Sequence, residues 1–460
     1  MKYEANWESL EQYAVPEWFR DAKLGIFIHW GVYAVPAFGS EWYPRKMYIE
    51  GDKAFEHHRG TWGPQSEFGY KDFIPMFKAE KWQPGAWVEL FKQAGARYVV
   101  PVAEHHDGFP MYDSRLTRWN AARMGPCRDT VAELERSCRR EGLKFGVSSH
   151  RAFNWHYYTF REDFDNHDPD HHKLYGVPHP DDAPVSYEFV LDWYARVREL
   201  VETFSPDVLW FDFGWHRDEF KPWRPRVAEH YYNHALEHGY EPVLQCKAGA
   251  RFPDGTAVLD IERGKLEGIS EHYWQTDTSV SYRSWGYIED DEFKPVASLV
   301  HDLVDIVSKN GNLLLNIGPR ADGTIPHEAA NCLLGLGEWL ELNGEAVFET
   351  RCWETHGEGP TDVPKGFREK EQAAYTAEDI RFTTRGDALY AIALGWPGRE
   401  LTIRSLGSGS SVPSGRIARV SMLGADDELS WSQDEGGLKV TTPAEPPCEH
   451  ACVLKVQLKA

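Results

Sequence analysis

The chain has 460 residues, 42% hydrophobic and 27% charged, an ordinary globular balance and more length than one core normally serves. A net charge of −22 argues against a nucleic-acid or anionic-membrane partner, because phosphates would be repelled, and leaves a neutral or cationic one. The aromatic share of 14% is high, enough for a core and for stacking on apolar ligand faces, sugar rings among them.

No apolar leader opens the sequence, and no later stretch is long enough to span a bilayer. The cysteines at 127, 138, 246, 332, 352, 448 and 452 are dispersed without a CxxC pair. Together these features predict a cytoplasmic protein with reduced thiols.

From about residue 20 to 345 short apolar runs alternate with amphipathic ones. A strand at Leu24–Gly31 is followed by a helix at 84–95 and a strand at 96–107. Thr130 and Glu133 have capping-box spacing at the start of a helix that closes at Gly142, and a strand at 143–149 follows at once. Apolar residues at steps of three and four predict a helix over 186–204, which feeds the strand Val208–Phe211 and then Asp212. Further units follow: a helix at 225–238, strands at 243–246, 256–261 and 272–276, a helix at 292–309, a strand at 312–318 and a helix at 326–343. Such repetition predicts a parallel sheet closed into a (β/α)8-type barrel over 1–345. The open doubly wound alternative lacks a GxGxxG after its first strand. Beyond residue 346 short strands separated by Gly, Pro and Ser turns predict a β-sandwich over 346–460, with 354–370 as an interdomain loop.

In a parallel barrel the C-terminal strand ends converge on one mouth. Those ends carry His29 and Trp30, then Glu104, His105, His106 and Asp107, then Asp212 and Trp215, with Glu41 and Trp42 in the loop after the first strand. A metal hydrolase would use the histidines as ligands, but adjacent His105 and His106 point to opposite sides of a strand, and no HxH or HExxH occurs. Glycoside hydrolysis uses more of the set: two carboxylates flank the scissile bond while neutral histidines, Trp and Glu hold the sugar.

The stretches WFRDAKLGIFIHWGVYAVPAFGSEWY (18–43), GARYVVPVAEHHDGF (95–109), VLWFDFGW (208–215), SWGY (284–287) and GNLLLNIGPRADGTI (311–325) resemble α-L-fucosidases of glycoside hydrolase family 29. The resemblance covers about residues 16 to 350 and implies a retaining exo-glycosidase acting on fucosylated oligosaccharides or glycoconjugates. It implies Asp212 as the nucleophile. His29, Glu41, Trp42, His105 and His106 fall on fucose-binding positions, Trp285 falls beside the sugar's methyl group, and Trp215 and Lys247 are expected on the sugar side. Glu262 in LDIERG is chosen as the acid/base, with Glu267 and Glu271 as runners-up. No metal or organic cofactor is implied, and homo-oligomerisation stays open.

Three departures bear on the sugar side. Lys247 stands where many relatives have Arg, Gln275 where some have Glu, and Ser148-Ser149-His150 replaces a more aromatic pattern. They leave an α-L-galactoside open as substrate, and the aromatic rim, which alone could hold a glycan, leaves open a fucose-binding protein that has lost catalysis. The His- and Asp-rich segment 151–184 is read as a solvated loop with a rim contribution from Trp155 and Tyr157, a cation at His171 and His172 being the alternative.

Overall fold

The computed structural model describes residues 2–362, 366–367, 373–425 and 428–459. Eight parallel strands close into a barrel in chain order: β1 Leu24–Ile28, β2 Tyr98–Glu104, β3 Lys144–Ser149, β4 Val208–Phe211, β5 Val243–Lys247, β6 Val258–Glu262, β7 Trp274–Ser279 and β8 Gly311–Ile317. The β1–β8 pairing that seals it runs from Leu24 opposite Leu313 to Ile28 opposite Ile317. Most of these strands are buried along their whole length, which is why they read as continuous apolar runs rather than alternating ones. Phe27, Val100, Trp210, Val258 and Leu314 belong to one buried cluster inside the ring.

The outer helices are α1 Pro84–Gln93, α2 Thr130–Arg140, α3 Tyr187–Phe204, α4 Arg224–His238, α5 Val296–Ser308 and α6 His327–Asn343. The long helix α3 starts where the Ser186 side chain accepts from Phe189 N and ends at Ser205, which turns left-handed at φ 40. The alternation is less regular than expected on one side. β5 and β6 are joined by a single 3-10 turn, Ala248–Ala250, so that arc of the barrel has no covering helix between them.

Three local expectations change. Thr130 is not a cap: its hydroxyl donates to Met111 O, Glu133 pairs with Arg128, and the neighbouring Asp129 carboxylate caps α2 through Ala132 N. The helix expected from 292 starts at Val296, because Pro295 forbids helical geometry at the residue before it and Phe293 bridges to Ser281 instead. The stretch expected as a loop from 354 begins inside a strand, β9 Arg351–Glu358; residues 363–365 and 368–370 of it lie outside the described residues.

The strands that follow are β10 Ile380–Arg385, β11 Ala388–Ala393, β12 Glu400–Ile403, β13 Ile417–Met422, β14 Trp431–Asp434, β15 Gly437–Thr441 and β16 Cys452–Leu458. They form a five-stranded antiparallel sheet, β9-β10-β11-β16-β13, and a three-stranded one, β12-β15-β14. Phe382 and Leu454 from the first and Ile403 and Val440 from the second share one core, as a sandwich requires. Among the described residues no helix is long and apolar enough to cross a membrane.

Candidate active site

The mouth at the C-terminal strand ends holds a cleft of about 330 Å³ lined by His29, Glu41, Trp42, His105, His106, His150, Trp210, Asp212, Phe213, Glu262, Asp277 and Trp285. All but two of the residues expected at the sugar are therefore brought together. β1 ends one residue before His29, whose Nδ1 lies 2.7 Å from Asn316 Oδ1 on the adjacent β8. The Asn316 amide nitrogen donates to Trp285 O and Ser279 Oγ, so its oxygen must be the acceptor and His29 must carry its hydrogen on Nδ1. Nε2 of His29 is thereby left as an acceptor. Burial, then the neighbouring His150, hold this imidazole well below its usual range.

The argument that His105 and His106 point apart fails. β2 ends at Glu104, so both residues sit in the turn beyond it, where strand alternation no longer applies, and their rings lie 4.7 Å apart inside the cleft. Burial, then His106, hold His105 well below the imidazole range. His106 spans Asp212 and the backbone: Nε2 is 3.1 Å from Asp212 Oδ2 and Nδ1 is 2.6 Å from His150 O.

Asp212 is the floor of the cleft. Burial alone would raise its pKa, but the His106 and His150 imidazoles beside it hold it well below the usual carboxylate range. His150, which enters sequence reasoning only as a departure from a family pattern, is the missed member: Nδ1 lies 3.2 Å from Asp212 Oδ2 and Nε2 3.0 Å from Ser148 Oγ. The strand-end rule that selected His29 and His105 would have found it, since it follows β3 directly. Phe213, Trp210 and Asp277 were also missed.

The opposite wall comes from β5, β6 and β7. Glu262 ends β6 with its side chain 35% exposed, and burial, opposed by Lys247 and helped by Asp212, raises its pKa. Glu267 and Glu271 are exposed and lie outside the cleft, which leaves Glu262 alone among the three. Lys247 lies behind this wall rather than in it. Its Nζ is 2.6 Å from Asp277, 2.8 Å from Asp260 and 3.9 Å from Glu262, and sits over the Trp210 ring. Asp260 also accepts from Gln275, whose oxygen accepts from Tyr98.

Glu41 reaches in from the loop after β1, where its Oε2 accepts from Ser284 Oγ and Trp285 N at 2.9 Å each and so ties that loop to the SWGY turn. Gly286 allows this turn to close, because a Cβ there would stand 2.7 Å from the Tyr33 ring. Trp42 stacks parallel to Phe213, and Trp285 lies 5.2 Å from the His29 ring.

Trp215 is a correction. It is fully buried among Phe211, Trp193 and Phe252, outside the cleft, because the turn after Asp212 carries it back over β4 into the helix layer. The segment 151–184 is folded rather than solvated throughout. Tyr157 is buried and donates to Glu41 O, while Trp155 stacks on His179 away from the sugar residues. Asp165 accepts from Tyr48 and Tyr175, and His171 Nδ1 bonds Asp165 O.

Donor atoms of His29, His105 and His150, and of His106, His150 and Asp212, lie close enough to share a cation. His106 Nδ1 donates to His150 O, and Ser148 Oγ lies 3.0 Å from His150 Nε2, so one nitrogen of each ring is already engaged within the protein.

A parallel barrel with a held carboxylate, a second carboxylate across the cleft and an aromatic, histidine-rich wall defines a glycoside hydrolase. A sequence model described as alpha-L-fucosidase matches residues 1–345, and one for the alpha-L-fucosidase C-terminal domain matches 372–457. Tissue alpha-L-fucosidase of Rattus norvegicus is 31% identical over 457 residues, covering 97% of this chain and 89% of that one. Plasma alpha-L-fucosidase of Homo sapiens is 32% identical over 470 residues, covering 97% and 91%. The crystal structure of Thermotoga maritima alpha-fucosidase in complex with fucose superposes with a TM-score of 0.80 at 32% identity, covering 99% of this chain and 100% of that one. The chain belongs to the α-L-fucosidase family, glycoside hydrolase family 29.

Proposed function

We propose that this enzyme removes terminal α-L-fucose from oligosaccharides or glycoconjugates with net retention, by double displacement. The observation that carries the reading is the contrast between two carboxylates. Against the effect of burial, the His106 and His150 imidazoles beside Asp212 hold its carboxyl well below the usual carboxylate range, as a nucleophile requires, and burial raises Glu262 across the cleft, as an acid requires. Asp212 attacks the anomeric carbon while Glu262 gives its proton to the leaving oxygen. Glu262 then takes a proton from the water that releases the sugar.

His29, Glu41, His105 and the rings of Trp42 and Trp285 supply acceptors, donors and apolar faces for the sugar, and Lys247 acts on it only through the wall. The division adopted, 1–345 for catalysis and 346–460 for the appended sheets, leaves every cleft residue in the first part. The free cysteines support a cytoplasmic location.

Asp212→Gly is expected to abolish turnover of an aryl α-L-fucoside, with azide restoring it and yielding the β-fucosyl azide. Full activity in that variant overturns the assignment. Glu262→Ala should lose far more on poor leaving groups than on activated ones, and equal losses point to another acid. Activity in a strong chelator is expected to persist, which separates this reading from a metal hydrolase. An aryl α-L-galactoside assayed beside the fucoside decides the glycone.

A further inference from the structure

Two imidazoles and a carboxylate converge at the floor of the cleft. His106 Nε2 lies 3.1 Å and His150 Nδ1 3.2 Å from the same oxygen, Oδ2 of Asp212. The far side of each ring is held by the protein: His106 Nδ1 is 2.6 Å from His150 O, and His150 Nε2 is 3.0 Å from Ser148 Oγ. A carbonyl oxygen only accepts, so the neutral His106 ring keeps its hydrogen on Nδ1 and its lone pair on Nε2. A hydroxyl accepts as well as it donates, so with Nε2–H on Ser148 the His150 lone pair falls on Nδ1, a buried nitrogen without a hydrogen-bond partner. We propose that His106 Nε2, His150 Nδ1 and Asp212 Oδ2 form a binding site for a divalent transition metal, zinc above all, and that the bound ion switches the enzyme off by occupying its nucleophile.

The spacing fits such an ion. Ligand atoms about 2.0–2.1 Å from zinc stand roughly 3.3 Å apart at the tetrahedral angle. The two contacts to Oδ2 are close to that, and the donor atoms of all three residues lie within 4.8 Å of one another. The backbone carbonyl behind His106 and the hydroxyl behind His150 are the kind of partner that fixes the tautomer and ring orientation of a histidine ligand. Imidazole and carboxylate donors suit zinc, cobalt or nickel, whereas magnesium and calcium want shells of oxygen. All three residues line the cleft, so water supplies the fourth ligand. His29, His105 and His150 also bring donor atoms within reach of one cation, but that set holds no carboxylate to offset the charge of the ion.

The effect on turnover rests on the reading of Asp212 as the nucleophile. A metal drawing on this carboxylate takes the electron density that must reach the anomeric carbon, and it stands where the sugar has to approach. Metal and fucoside therefore exclude each other, and the metal-free protein is the active form.

Chelator-stripped enzyme titrated with cobalt(II), a spectroscopic stand-in for zinc, should develop the visible band of a four-coordinate centre, and zinc should displace it. Zinc should inhibit hydrolysis of an aryl α-L-fucoside competitively, with full recovery in EDTA. Asp212→Gly and His106→Gln are expected to lose the cobalt band, while His29→Gln keeps it. Ser148→Ala, which removes the hydroxyl behind His150, should weaken cobalt binding about 10- to 100-fold. A band that survives His106→Gln and disappears in His29→Gln assigns the ion to the other histidines and overturns the proposal, as do noncompetitive zinc inhibition and the absence of any band. X-ray absorption of the zinc-loaded wild type does not depend on how the variants fold. Two imidazoles in a shell of nitrogen and oxygen support the proposal, and sulfur in the shell marks a cysteine and overturns it. If Asp212 is not the nucleophile, Asp212→Gly stays active, and the cobalt band still reports on the metal site alone.

Discussion

Lys247→Met tests the wall behind Glu262. The ammonium is buried between Asp260 at 2.8 Å and Asp277 at 2.6 Å; burial and then Asp260 raise Asp277 well above the usual carboxylate range, so removal of the ammonium leaves Asp260 as the buried anion without its cation. Breaking such a pair costs about 3–5 kcal/mol. The loss has a pH signature. Burial pushes Asp260 up, but Lys247 holds it below its ordinary value, so its contribution is complete above that value and is lost as pH falls through the depressed one. Asp260 and Asp277 outweigh burial and raise Lys247, whose contribution is complete below the ordinary lysine value and lost only as pH rises through the raised one. The deficit in urea or thermal unfolding is therefore largest between roughly pH 5 and pH 10 and shrinks toward pH 3.

Activity reports the other face of Lys247. A unit charge 3.9 Å from Glu262 is worth about 4 kcal/mol at an effective dielectric of 20. The Glu262 side chain is 35% exposed, and solvent screening reduces this to roughly 1–2 kcal/mol, about one pH unit. With the cation gone Glu262 keeps its proton longer, and the alkaline limb of kcat/KM on a poor leaving group moves up by about one unit. A folded variant whose limb stays in place, or moves down, refutes the link between Lys247 and the acid.

Gln275→Glu places a third carboxylate against Asp260, where the amide now donates at 2.6 Å. Burial and like charge raise the new group, so its penalty is small below about pH 4 and grows with pH to roughly 2–3 kcal/mol at neutrality. Urea midpoints at pH 4.5 and pH 8 check this, and a difference from wild type that does not widen with pH counts against it. Trp215→Phe should leave KM for an aryl fucoside unchanged and lower stability by roughly 1–3 kcal/mol. A several-fold rise in KM would return Trp215 to the sugar site.

The barrel was legible in the sequence because parallel strands buried on both faces write continuous apolar runs, and the helices between them write a 3.6-residue period. The same order placed His29, His105 and Asp212 at one mouth, since the C-terminal ends of barrel strands face one way whatever the loops do. Local geometry at those ends was another matter. His105 and His106 were assigned opposite directions because alternation holds only while the chain is a strand, and β2 stops one residue earlier. Trp215 looked like a rim aromatic from its distance to Asp212, yet three residues of turn return it to the core.

What the amino-acid order determined, then, is the ring of strands, the appended sheets and the residue types at the mouth, because periodicity and burial are written locally. Only the tertiary structure decided the neighbours of each charge. That His106 and His150 meet at one oxygen of Asp212, and that Lys247 is divided among three acids, follow from atoms brought within about 4 Å by closure of the barrel. Charge and hydrogen-bond direction depend on such distances, and no spacing along the chain encodes them.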